Sequence, residues 1–354
     1  MIYFFELIDI CISIKKSNNI KDKLNYLSNL FINCSIEEIE IFYQIFINKS
    51  HNNKFINNNY LIKTIETIYF IDNYYLKYYL ENKKNIIDIY LCLIHLDRKK
   101  FITYNNKLTL LQFNNFLKKF TNIKGKNSNI KKINYLRLFL LFISDYESQY
   151  VIKLLLNQFH IGIGESFFYK FLSKKYNISI NDIQNIFSKT NNIIEILELL
   201  NNDTQKLNKY TISLFNPIKF MLASVIPKNL EDIFSKSKKW IVEYKFDGIR
   251  VQIHKKDNNI KIYSRNLDEI TFSMPDAVNS IKEHINEKSI ILDAEAVAIN
   301  YDGKILPFQN ILKRSKRKYN INNIINRINI KINIFDILYL NKENLMEKDL
   351  EERR

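Results

Sequence analysis

The chain has 354 residues, room for two domains and at least one sizeable core, and its hydrophobic content of 46% with 14% aromatics excludes a disordered polar tail despite heavy Asn, Ile and Lys usage. A formal net charge of +16 points to an anionic partner, either nucleic acid or an acidic membrane surface. The three cysteines, Cys11, Cys34 and Cys92, lie singly without a C-x-x-C pair, which argues against a zinc site or disulfide framework and makes a reducing compartment the default.

The amino-terminal stretch MIYFFELIDICISIKKS carries Glu6 and Asp9, lacks a basic n-region and a small-residue cleavage site, and therefore predicts an amphipathic helix, not a signal peptide. No charge-free run is long enough to span a bilayer, and the expected partners include no membrane. Apolar residues at helical spacing follow in KDKLNYLSNLF (Leu24, Leu27, Leu30, Phe31) and NNIIEILELL (Ile193, Ile194, Leu197, Leu200). Ser35 with Glu38 predicts a capping box, and Ser179 with Asp182 its acidic variant. All four prolines, Pro217, Pro227, Pro275 and Pro307, lie after this region, which fits a long helical segment before them.

From about Trp240 the period changes to two. IRVQIHKK, NIKIYSRN, SIILDAEAVAI and KINIFDILYL read as strands, with turns at Asp257-Asn258-Asn259 and Asp302-Gly303. SMPDAVNSIKEHI reads as a helix with Ser273 as N-cap and Pro275 in the first turn. The expected architecture is multi-domain: an all-α amino-terminal domain over residues 1–205, then an α+β domain with antiparallel sheets over 206–354.

Within WIVEYKFDGIRV, period two places Glu243 and Lys245 on one face of a predicted strand, and Asp247-Gly248 ends it in a tight turn. Glycine there tolerates positive φ or lets another backbone come close. A lysine amine is a nucleophile only when deprotonated, and desolvation or neighbouring cations such as Arg250 and a metal ion lower its pKa. Arg250 adds a planar fork suited to phosphate oxygens. Taken alone, D-G is an ordinary hairpin turn, Glu295 a salt-bridged strand residue, Phe335 a core residue and LKRSKRK a solvated basic face.

Together and in this order, these stretches resemble the ATP-dependent DNA ligases of the archaeal and eukaryotic type. EYKFDGIR resembles their adenylation motif, YSRN the next motif, and LDAEAVAI their L-D-G-E-A-V, with Ala294 in place of the usual Gly. LPFQNILKRSKRK is similar to LPFQELMRRKRK, and IFDILYLNKENL to LFDILYLDGEDL. Upstream, DYESQYVIKLLLNQFHIGIGESFFYKFL, NIKGKNSNIKK and PIKFMLA resemble the helical domain and the lead-in to the catalytic domain. His160 and Lys153 replace arginines of the pattern, Asn127 a glycine and Phe220 a proline.

The resemblance implies an adenylation (nucleotidyltransferase) domain in which Lys245 forms a lysyl–AMP link, Glu243 contacts the adenine amino group and Arg250 the ribose and phosphate region. Arg265 is implied at the phosphate end, Glu295 at the ribose hydroxyls and the metal, and Phe335 stacked on adenine. It implies ATP and Mg²⁺ as cofactors and nicked duplex DNA as the partner of a monomer acting in replication, repair and recombination. DNA is implied to lie against Lys126, Ser128, His160, Gly162 and Gly164, through contacts insensitive to base sequence. A sliding clamp is not readable from the sequence. The compartment follows the source: cytoplasmic and nucleoid-associated in an archaeon, nuclear or viral-factory otherwise.

The family pattern continues with an E/D-G-x-M-x-K strand, a K-x-K strand and an OB-fold domain, and none of these occurs in the 354 residues. The expectation is therefore an adenylation domain that is incomplete, from a truncated or split ligase. The alternatives are a non-catalytic duplex- or nick-binding remnant and, disfavoured by IGIGE and PIKFMLA, an RNA ligase or capping guanylyltransferase.

Overall fold

A computed structural model describes all residues except 49–54, 72–73, 75, 77, 79–84, 96–106, 203–206, 208–209, 224–230, 236–238 and 316–327. The chain divides into two compact units, residues 1–183 with 200–202 and residues 184–199 with 203–354. The basic segment LKRSKRK lies outside the described residues from residue 316 onward.

The first unit is helical. It comprises α1 (Phe4–Lys16), α2 (Ile20–Leu30), α3 (Ile36–Phe42) running into a π-helical turn Tyr43–Ile47, α4 (Asn58–Tyr69), α5 (Ile86–His95), α6 (Leu110–Asn122), α7 (Ser128–Phe142), α8 (Asp145–Leu155) and α9 (Glu165–Tyr176). The amino terminus is the expected amphipathic helix, burying Phe4, Leu7, Ile8, Cys11 and Ile14 on one side. Aromatic rings fill the core. Phe4 meets Phe113 at 4.6 Å between centroids, and Phe31 meets Phe42 at 5.3 Å and Phe171 at 5.7 Å. The capping box at Ser35 and Glu38 forms as expected. Two more, Thr109 with Gln112 and Ser144 with Glu147, start α6 and α8 on the same pattern.

Two helices, α10 (Ile180–Lys189) and α11 (Ile193–Asn202), follow and cross the division between the units. Ser179 Oγ accepts from the Asp182 backbone N–H at 3.1 Å, the acidic variant of the box.

The second unit is built on a five-stranded antiparallel sheet of order β2-β1-β3-β4-β5, with β1 (Ile249–Lys256), β2 (Asn259–Ser264), β3 (Ser289–Ile299), β4 (Asn329–Leu340) and β5 (Glu343–Asn344). After the short α12 (Glu231–Phe234), helices α13 (Pro275–His284) and α14 (Phe308–Ser315) complete it. Alternation separates the two faces of the sheet. Val251, Ile253, Leu292, Ala294, Ala296 and Ala298 pack with Met274, Ala277 and Ile281 at α13 and Ile311 of α14. Ala294, where the resembled pattern has Gly, is fully buried in that core.

Three local expectations change. Ser273 is not the N-cap of α13: it ends a 3₁₀ turn and donates its hydroxyl to the Ile270 carbonyl at 2.8 Å, while Met274 takes the cap position and Pro275 sits at the first helical position. Arg314, in the basic run after LPFQ, is buried, not solvated. It bonds the carboxylate of Asp276 and the carbonyl of Ile328, and Asp276 accepts in turn from the Ile330 N–H at 3.0 Å. Finally, residues 240–247 form no β-ladder with any described residue. β3 pairs with β4 on one side, and on the other the return of the 300–305 hairpin takes its last residues, through the Ile299–Ile305 bridge and the Leu306 N–H to Ala298 carbonyl bond. No edge of β3 remains along which 240–247 could extend β1.

Removing one partner of a buried ion pair strands the other. Replacing Arg314 by Met is expected to lower the stability of the second unit by about 3 kcal/mol, read as a shift of its urea midpoint at unchanged slope.

Candidate functional site

The polar face of the sheet is written in the alternation of β1. Arg250, Gln252 and His254 point away from the apolar core, and the register sets Arg250 opposite Glu295 and Gln252 opposite Asp293 of β3. Arg250 donates through Nε and Nη2 to both oxygens of Asp293, at 3.0 and 2.7 Å, a bidentate pair. Its Nη1 donates to the carbonyl of Met221 at 2.7 Å. The rings of Phe220 and Phe335 lie 5.0 and 5.4 Å from its guanidinium carbon. One N–H of each terminal nitrogen remains for a ligand. The Asp293 bond holds the Arg250 pKa above its ordinary value, so the fork is permanently charged.

Phe335 reaches this position through a β-bulge. Asp293 pairs with Asp336 and Ala294 with Ile334, so Phe335 is the extra residue of β4 and its ring is re-aimed toward Arg250. Glu295 is half-buried. Burial pushes its pKa up, opposed by a hydrogen bond from the Gly248 backbone and by the charges of Arg250 and Lys245. Lys245 and Glu295 thus share one electrostatic environment at the head of β1.

Gly248 is needed here for space. A Cβ on it would lie 2.2 Å from the Ala296 carbonyl oxygen and 2.8 Å from Val297 Cγ1. Of the two reasons for a glycine after Asp247, close approach is the one realised.

Lys245 stands in the open, with its side chain 87% exposed and Nζ 2.6 Å from Asp247 Oδ1. The expectation of a depressed lysine pKa is corrected: the hydrogen bond and charge of Asp247 raise it, and desolvation contributes little. Its neighbours Val242 and Tyr244 are 92% and 89% exposed. Glu243 is paired with Arg354 at 2.5 Å, so a ligand using that carboxylate must displace a guanidinium. Arg353 beside it grips Asp336 with 2.6 and 2.5 Å bonds. Arg265 is exposed in the turn after β2, where Ser264 pairs with Val251 next to Arg250. The structure therefore gathers Arg250, Glu295, Phe335 and Lys245 at one end of the sheet, with Arg265 on the adjoining turn.

Sequence reasoning missed Asp293, Phe220 and the Gln252–His254 pair. Period two would have revealed Asp293, which lies two residues before Glu295 on the same face. Phe220 was visible only as a departure from the resembled pattern.

No group of three or more His, Cys, Asp or Glu side chains able to hold a metal occurs among the described residues. Glu295 is the carboxylate at this end of the sheet not engaged by a lysine or arginine side-chain bond, Asp247 and Asp293 being so held. One carboxylate fits Mg²⁺, which keeps most of its waters and leans on substrate phosphates.

In the helical unit, Lys126 and Ser128 sit at the turn into α7, where Asn127 adopts φ 60° and Gly125 φ 89°. Gly162 has φ 69°, a conformation that favours glycine, and Gly164 is the N-cap of α9. His160 is exposed, and the 159–163 loop borders a groove of about 700 Å³ together with Lys118 and Thr121 of α6. The Lys126–Ser128 turn does not line that groove. No described helix is long and apolar enough to cross a membrane.

Replacing Gly248 by Ala must push β1 off β3 or tilt the turn. The expected loss is about 1–3 kcal/mol, with faster amide exchange at Ile249 and Arg250 as the local signature.

Residues 220–354 match the family model described as ATP dependent DNA ligase domain, and residues 3–173 match DNA ligase N terminus. A DNA ligase of Methanococcus aeolicus is 39% identical over 248 residues, covering 70% of this chain and 44% of the relative. One from Methanococcoides burtonii is 37% identical over 231 residues, covering 65% and 41%. DNA ligase 2 of Methanosarcina mazei aligns at 29% identity with 100% of this chain and 64% of its own length. The chain spans about half the length of the curated relatives it matches.

Proposed function

The chain belongs to the ATP-dependent DNA ligase family, and from that premise we propose that it carries the adenylation chemistry of nick sealing, with Lys245 as the nucleophile. In this reading Lys245 Nζ loses a proton and attacks the α-phosphorus of ATP. The N–P bond forms as the P–O bond to pyrophosphate breaks, leaving lysyl–AMP. AMP then passes to the 5′-phosphate at a nick in duplex DNA, and attack by the 3′-hydroxyl releases it. Mg²⁺ held at Glu295 would offset phosphate charge when bound.

The observation that carries the reading is the gathering of Lys245, Arg250 and Glu295 at the head of β1, with Arg250 clamped through three of its five N–H donors. A charged, oriented fork beside an exposed amine suits a triphosphate better than any neutral ligand. Phe335 supplies an aromatic face for the base, and Glu243, once Arg354 is displaced, an acceptor for an exocyclic amine. Arg265 on the adjoining turn serves the phosphate end. The helical residues 1–205 serve as the duplex-binding part, using Lys126, Ser128, His160, Gly162 and Gly164, with 206–354 as the adenylation part. Exposed His160 lacks the permanent charge of an arginine, so backbone N–H groups and lysines carry most of the phosphate attraction there.

Incubation with α-labelled ATP and Mg²⁺ is expected to leave label on the wild-type chain and none on Lys245→Ala. Label retained by that variant, or GTP labelling in preference to ATP, overturns the assignment.

The charge state of Lys245 gives a second check. Because Asp247 stabilises the ammonium, Asp247→Asn lowers the lysine pKa, and the rising limb of the pH–rate profile for label transfer moves to lower pH. A limb that stays in place would show that Asp247 does not set the proton affinity of the nucleophile.

A further inference from the structure

The segment Phe215–Met221 has no regular secondary structure, yet it supplies the Met221 carbonyl and the Phe220 ring that hold Arg250. At Phe215 and Ile218 its backbone groups are satisfied by side chains of the sheet. Phe215 N–H donates to His254 Nδ1 at 2.9 Å, and the Phe215 carbonyl accepts from Tyr263 Oη at 2.9 Å. Gln252 pairs with Ile218 as a neighbouring strand would, accepting from its N–H at 2.8 Å and donating to its carbonyl at 3.2 Å. Gln252 and His254 are fully buried.

Only one proton arrangement suits this network. His254 Nδ1 accepts, so the ring proton is on Nε2, which donates to Gln252 Oε1 at 2.9 Å. Gln252 Oε1 then receives two donors, and its amide nitrogen is free for the Ile218 carbonyl. Burial lowers the His254 pKa to about 3, so Nδ1 remains an acceptor through the neutral range.

We propose that Gln252 and His254 are positioning residues for nucleotide binding: they fix Phe215–Ile218 on the sheet, and the segment's continuation sets Arg250 for the triphosphate. They lie two and four residues beyond Arg250 on the same face of β1, and both act through a segment that precedes them by more than thirty residues. The inference rests on the ATP reading above. Asn216 adds a second anchor, donating to Thr190 Oγ1 at 2.6 Å, but that bond does not depend on β1.

The test compares His254→Gln, His254→Asn and Gln252→Met in the 354-residue chain. The Oδ1 of Asn can occupy the place of Nδ1 and still accept from Phe215 N–H, whereas Gln carries its amide out to the Nε2 position. Two quantities are read: amide exchange at Phe215 and Ile218, and the Kd for ATP with Mg²⁺ by calorimetry. Protected amides in the β1–β3 ladder serve as the sign that the sheet remains folded. His254→Gln is expected to speed exchange at Phe215 and Gln252→Met at Ile218 by roughly ten- to a hundredfold, and both to weaken ATP binding by roughly tenfold. His254→Asn stays near wild type on both.

Unchanged exchange in His254→Gln and Gln252→Met overturns the proposal, and so does faster exchange with an unmoved Kd. Loss in His254→Asn equal to that in His254→Gln points to a packing role and overturns it too. A wild type that binds ATP without being labelled fails the adenylation reading alone, and the Kd comparison still decides this one. A wild type that binds no ATP overturns both.

Discussion

Everything at the head of β1 depends on how Arg250 is held. A guanidinium free in solvent would sample many rotamers and carry its hydration with it. Here the Asp293 carboxylate takes one edge, the Met221 carbonyl takes part of another, and two aromatic rings lie against the group. These contacts come from three different pieces of chain: β3, the lead-in segment and the β4 bulge. The ordering of the fork is therefore a property of the folded unit, not of the motif that contains it. The cost is a largely buried charge pair, and its desolvation is offset by bidentate geometry instead of by water.

The sheet makes this affordable by keeping its two faces chemically separate. Beneath it, small and β-branched residues pack α13 and α14 tightly, and Ala294, Ala296 and Ala298 let the helices approach. Above it, buried polar side chains do what a further strand would have done. The Gln252 amide, with one acceptor and one donor directed at a single residue, reproduces the pairing of a β-ladder at Ile218. An irregular segment can thus lie on the sheet with its Phe215 and Ile218 backbone groups paired.

Much of this was open to sequence reasoning, and the limits are informative. The change of period near residue 240, the capping boxes, the hairpin at Asp257 and the order of the motifs all depend on neighbours within a few residues, so local pattern sufficed. Residues 240–247 alternate as a strand should, but alternation reports which faces differ and not whether an edge is available; the 305–306 return had taken it. Arg314 looked solvated because its run is basic, while its partner Asp276 is 38 residues away. The lysine pKa was misjudged for a related reason. Desolvation was inferred from what the chemistry needs, whereas the side chain is exposed and its carboxylate partner is two residues on.

That last difference divides the site into fixed and movable parts. Arg250, Asp293 and the Phe335 bulge are tied into the sheet, and shifting them would break several partly buried hydrogen bonds at once. Lys245 with Asp247 and Glu243 with Arg354 are pairs on exposed chain that carries no ladder bonds, and such pairs are weak because water and salt screen them. On the proposed reading, a triphosphate at the fixed fork would compete with Asp247 for the lysine without disturbing the scaffold. The Asp247 charge that holds the amine also keeps it protonated, so on the proposed reading phosphate and its counter-ion would have to displace that carboxylate before the amine could give up its proton. If Lys245 is the nucleophile proposed, its charge in solvent would protect it from adventitious electrophiles and confine its reactivity to the place where the scaffold orients a phosphorus.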